Sequence, residues 1–162
     1  MAVLEIKTYG DPVLREKTLK VDEITPEIEK LIKDMVETMY ASLGAGLAAP
    51  QVGVSKKVIV IDGEEEGLIA LINPVIVEKK GKLLEEEGCL SVPGIFSEVP
   101  RYEKVTVSGI NQQGEKVTMT RDGLIGKALQ HEIDHLEGIL FIDRISKIKR
   151  KMLIDEYRKN EK

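Results

Sequence analysis

Residues 123–137 read Gly123-Leu124-Ile125-Gly126-Lys127-Ala128-Leu129-Gln130-His131-Glu132-Ile133-Asp134-His135-Leu136-Glu137, and Gly138 follows as a C-terminal stop. The run predicts a helix. At about 100° per residue, Leu124, His131, His135 and Ala128 share one stripe. Glu132, Ile125, Leu136, Leu129 and Ile133 continue an apolar arc beside it, and Gly126, Glu137, Gln130, Asp134 and Lys127 fill the opposite, polar face. Glu132 thus falls inside the apolar arc, where an ionised carboxylate without a partner is costly. The chain has only two histidines, and they stand four apart in this helix. Imidazoles at i and i+4 can hold one metal ion from one side, and the glutamate beside them can take a proton from bound water. The alternative is a pair of core histidines with a snorkelling Glu132.

Working outward, the other elements arrange themselves around this helix. An N-terminal helix is predicted at about 25–43, with Thr25 as cap and Pro26 at the first helical position. Ile28, Leu31, Ile32, Met35, Val36, Met39, Tyr40 and Leu43 make a single apolar stripe, and Gly44 ends it. Short β-branched runs at 58–61, 68–72 and 75–77 read as strands, the last two separated by Asn73-Pro74. Alternating segments at 104–110 and 115–120 flank Asn111-Gln112-Gln113-Gly114 and predict a hairpin. A third helix is expected from Ser146 to about Lys159. Helix, strands, helix without strand–helix alternation predicts an α+β fold: mostly antiparallel strands around a central metal-binding helix, with an N-terminal amphipathic helix and a C-terminal helix.

The 162 residues amount to a single domain, 1–162, with 42% hydrophobic and 32% charged residues. The net charge of −4 makes a dedicated, sequence-specific nucleic-acid binder a poor reading. One cysteine excludes an internal disulfide framework. No apolar run approaches the ~18 residues of a membrane span, and the N-terminal residues carry no signal-peptide pattern, so the expected compartment is the cytoplasm.

Two histidines need a third ligand and an open position to make a catalytic metal site. No third histidine exists. Asp155 and Glu156 follow His135 at a spacing used by one class of zinc peptidase. The other candidate is Cys89, in Glu87-Gly88-Cys89-Leu90-Ser91; a lone cysteine is otherwise a small buried hydrophobe. Gly88 permits close backbone approach, Ser91-Val92-Pro93-Gly94 reads as a turn, and a strand-edge position leaves the Leu90 amide free to donate. Gly44-Ala45-Gly46-Leu47-Ala48-Ala49-Pro50-Gln51 lacks the lysine of a phosphate loop. Its small residues suit pairing with an extended peptide, and the Gln51 amide can donate to a developing oxyanion. A plain helix-to-strand connection with Gln51 exposed is the alternative.

Together these three segments resemble the bacterial peptide deformylase family, whose motifs are G-φ-G-φ-A-A-x-Q, E-G-C-φ-S and H-E-φ-D-H. They match Gly44–Gln51, Glu87–Ser91 and His131–His135 in order, and Gly10-Asp11-Pro12-Val13-Leu14-Arg15 is similar to the family's N-terminal signature. The length resembles the compact form without large insertions. The resemblance implies Cys89, His131 and His135 as metal ligands, with one Fe(II) per chain and Zn(II), Ni(II) or Co(II) as substitutes. It implies Glu132 as general base and then acid, and Gln51 with the Leu90 amide as oxyanion donors. The implied reaction is attack of metal-bound hydroxide on the formyl carbon of N-formylmethionyl nascent peptides, releasing formate.

Gly46, Gly88, Leu124 and Ala128 are the candidate substrate-binding residues. Two residues depart from the family pattern and bear on specificity: Phe96 stands where many relatives carry a basic residue, and Lys127 where an aliphatic one is expected. The resemblance implies that the C-terminal helix can dock on the ribosome, which the basic segment 144–151 would suit; the alternative is a solvated helix face. Two further classes are a zinc peptidase using Asp155 or Glu156, and a binding module with a structural metal.

Overall fold

In the computed structural model, which describes residues 2–161, the apolar run at 58–61 opens strand β2 (Val58–Asp62). Val58, Ile59, Val60 and Ile61 are all buried. A strand covered on both faces needs no polar alternation, which is why this one is uniformly apolar. Val58 and Val60 join one core with Ile28, Ile32, Met35 and Met39 of helix α1 (Pro26–Ala41). Ile59 and Ile61 join a second core with Leu129 and Leu136 of helix α2 (Gly123–Leu136). The sheet is therefore sandwiched between the two helices.

The other members of that sheet are β1 (Gly46–Ala48), β3 (Leu68–Lys80), β6 (Lys104–Ile110) and β7 (Lys116–Asp122). All neighbours pair antiparallel, in the order β1-β2-β3-β6-β7. β1 lies at one edge, pairing Gly46 with Ile61 and Ala48 with Ile59. A separate two-stranded ribbon pairs β4 (Leu83–Cys89) with β5 (Val92–Arg101). A third core joins Val92, Ile95 and Val99 of β5 to Leu140, Phe141 and Ile142, and to Tyr157 of helix α3 (Lys147–Asn160). Among the described residues, no helix is long and apolar enough to cross a membrane.

Helix boundaries follow their local signals. Thr25 Oγ1 accepts the Ile28 N–H at 3.3 Å, and Ser146 Oγ accepts the Lys149 N–H at 3.2 Å. α1 stops at Ala41, two residues before the expected end. Gly44 N–H donates to Met39 O and Leu43 N–H to Tyr40 O, so the left-handed residue of this Schellman turn is Leu43, at φ 57°, and not the glycine. At the end of α2 the glycine does take that role, with Gly138 at φ 74°.

Three readings need correction. Asn73-Pro74 does not separate two strands but forms a bulge inside β3, where the register slips between Ile72 and Val75. Asn73 adopts φ 52° and clamps Val21: its Oδ1 accepts the Val21 N–H at 2.8 Å, and its Nδ2 donates to Val21 O at 2.7 Å. Pro93-Gly94 is likewise a bulge within β5, and the reversal is the tighter Leu90-Ser91 step. The polar face drawn for α2 is not solvent-facing either: Gln130 and Asp134 are buried, held by partners from β5 and the segment just after it.

Candidate active site

α2 carries His131, Glu132 and His135, with Glu132 against Gly46 of the edge strand β1, and the end of β4 delivers Cys89. One donor atom from each of Cys89, His131 and His135 lies within 4.8 Å of the others. Cys89 Sγ and His135 Nε2 are 3.4 Å apart. His131 Nδ1 faces Glu87 Oε1 at 2.9 Å, which leaves Nε2 as the nitrogen free to ligate. Asp155 and Glu156 are exposed on α3, and Asp155 lies in a separate cleft with Tyr9, Arg150 and Arg158. The peptidase ligand set is thus not assembled.

Glu132 is 4% exposed, and its Oε1 has no hydrogen-bond partner among the described residues. Burial pushes its carboxyl up to about 7, against the pull of His131. Burial also opposes charge on His131, yet Glu132, Cys89 and Glu87 raise its pKa well above the usual value. At His135 the direction reverses: burial and the neighbouring His131 push its pKa well below the usual value. An orphaned carboxylate oxygen, a soft sulfur donor and two imidazoles fit a transition-metal ion with a position left open.

Gly46 lies against Glu132, and Gly88 lies under the Phe96 ring, 2.6 Å from where its Cβ would be. Gln51 is buried, not exposed: its Oε1 accepts the Ala48 N–H at 2.9 Å, which turns Nε2 toward Ser91 Oγ at 3.2 Å and Cys89 Sγ at 3.7 Å. A pocket of about 520 Å³ opens over this group. Gly46, Gly88, Leu90, Leu124 and Ala128 all line it, as do Phe96 and Lys127. The Lys127 stem runs along the wall, while its Nζ lies 3.3 Å from both Glu85 Oε2 and Glu86 O.

Sequence reasoning missed the support behind His131. Glu87 takes a bidentate ion pair from Arg101, at 2.7 and 2.8 Å, besides its bond to His131. Burial opposes the Glu87 charge, but the bonds from Arg101 and His131 hold its carboxyl down at about 2. Arg101 Nη1 reaches Asp134 Oδ2 at 2.6 Å. The one available signal was the position of Glu87 two residues before Cys89.

Residues 3–151 match the family model described as polypeptide deformylase. The chain is 56% identical to the peptide deformylase of Halothermothrix orenii over 154 residues, covering 94% of this chain and 100% of that protein. It is 54% identical to the peptide deformylase of Desulfitobacterium hafniense over 151 residues, 93% of this chain and 100% of the relative. A solved peptide deformylase from Legionella pneumophila matches with a TM-score of 0.94 at 42% identity, covering 99% of this chain and 96% of that one. One from Ehrlichia chaffeensis, in complex with actinonin, gives 0.95 at 39% identity, covering 100% and 99%. Sequence and structure agree over nearly the whole length, and the chain belongs to the peptide deformylase family.

Proposed function

We propose that this chain is a metal-dependent hydrolase that removes the N-formyl group from the formylmethionine of newly synthesised proteins in the cytoplasm, releasing formate. The whole chain serves as one catalytic domain. The observation that carries this reading is the convergence of Cys89, His131 and His135 beside a buried, unpartnered Glu132, at the floor of a pocket that Cys89, His131 and Glu132 line.

Cys89, His131 and His135 would hold one Fe(II), with Zn(II), Ni(II) or Co(II) as substitutes. When bound, the ion supplies Lewis acidity and makes water a nucleophile at neutral pH. Glu132 takes a proton from the water that attacks the formyl carbon. Gln51 Nε2 and the Leu90 N–H donate to the oxygen that gains charge; the Leu90 amide has no backbone acceptor among the described residues. Glu132 then passes the proton to the departing nitrogen, so formate and a free amine result. Leu124, Ala128 and the Lys127 stem offer the methionine side chain an apolar wall. The edge strand β1 leaves Gly46 able to pair with the peptide backbone, and Gly88 gives the formyl end room.

Ribosome docking through 144–151 belongs to the same proposal. Lys147 and Lys151 line the cleft on α3, and Ile148 and Met152 are exposed beside them. The test of the function is amine release from formyl-Met-Ala-Ser by Fe(II)-loaded protein under anaerobic conditions, with acetyl-Met-Ala-Ser alongside. Turnover of the formyl peptide alone supports the reading; no turnover with one metal per chain overturns it.

A further inference from the structure

A line of alternating charges runs from His131 to the surface. Glu87 Oε1 accepts from His131 Nδ1 at 2.9 Å and from Arg101 Nη2 at 2.8 Å, while Oε2 accepts from Arg101 Nε at 2.7 Å. Arg101 Nη1 donates to Asp134 Oδ2 at 2.6 Å. Arg144 closes the line, donating from Nη2 to Asp134 Oδ1 at 2.7 Å and from Nε to Oδ2 at 3.1 Å. The Arg101 and Glu87 side chains are each 4% exposed, and Arg144 is 44% exposed. Two carboxylates and two guanidiniums balance, so the chain buries its charges in pairs.

We propose that Arg101 and Asp134 are positioning residues for His131, with Arg144 as their outer anchor. The Arg101 fork fixes both oxygens of Glu87, and Asp134 fixes the remaining arm of the fork. Glu87 is then held where His131 Nδ1 must donate to it, which sets the tautomer and aims Nε2 at Cys89 and His135. Loss of the Asp134 charge leaves two guanidiniums against one carboxylate. Glu87 is then drawn toward Arg101 and accepts less strongly from His131, whose other nitrogen becomes a poorer ligand.

This inference rests on the proposed metal site, and the experiment separates the two. Metal-free protein is titrated with Co(II), following the visible ligand-field and thiolate charge-transfer bands. Wild type should bind one equivalent. Asp134→Asn should bind about 10-fold more weakly, with shifted bands, and Arg144→Gln about 3-fold more weakly with a smaller shift in the same sense. Folded Asp134→Asn or Arg144→Gln protein with wild-type affinity and spectrum overturns the positioning role. Arg144 is half-exposed, so its variant decides the matter if Asp134→Asn does not fold. Wild type without Co(II) binding overturns the metal site itself.

Discussion

Gly46 and Glu132 are packed so closely that a Cβ on Gly46 would fall 2.7 Å from Glu132 Oε2. An edge strand thus sets the place of a carboxylate on the helix opposite. Gly46→Ala should push Glu132 aside while the core stays intact. We expect kcat for a formylated tripeptide to fall by about 100-fold, because small misplacements of a reacting group carry costs of that order. Near-wild-type kcat would show that Glu132 tolerates the shift.

Glu132→Gln should retain metal and fold and lose about 10²- to 10⁴-fold in turnover. It should also change the pH dependence of stability in metal-free protein. The folded pKa of Glu132 is raised to about 7 from an ordinary 4.5, so ionising it opposes folding. The penalty is absent below the unfolded value, grows as pH rises between the two and is full above the folded one. Thermal melts at acid and alkaline pH should show the variant gaining on wild type as pH rises.

Cys89→Ala should remove stoichiometric metal, since only two protein ligands would remain within reach among the described residues. Elemental analysis after gel filtration measures this. Full metal retention would mean that another residue completes the site.

Reversing Lys147, Lys149 and Lys151 to Glu should weaken co-sedimentation with ribosomes, more so at low salt, and leave tripeptide turnover within about twofold. Arg144 and Arg150 are poorer choices: the first is bound to Asp134, and the second lies 3.4 Å from Asp143. Unchanged sedimentation would assign this face to solvent.

Asn73→Ala should cost about 1–3 kcal/mol in urea unfolding, because both Val21 backbone groups lose their partners. An unchanged midpoint would mean that water replaces the clamp.

Much of the fold was legible because its signals are local. The cap Thr25, the helix start at Ser146, the stripe of α1 and the β6–β7 hairpin each lie within a few residues of the structure they specify. The β4–β5 ribbon was not. Its inward positions include Ser97 and Arg101, and an arginine reads as exposed until its partners are known. Arg101 is buried only because Glu87 and Asp134, distant in sequence, meet it there. Asn73-Pro74 and Pro93-Gly94 read as breaks for a similar reason: whether such a pair ends a strand or bulges within it depends on the neighbouring strand.

The class of fold, the three motifs and the two histidines four apart follow from the order of residues alone, since helical periodicity and residue chemistry are carried there. Tertiary structure decided that Cys89 is brought beside them, that Asp155 and Glu156 stand elsewhere, and that Gln51 turns its amide toward Cys89. It also decided that Gly46 makes room for Glu132 and that Arg101 holds Glu87. These are meetings between elements far apart in the chain, and burial and charge pairing select them only once the sheet has brought those elements together.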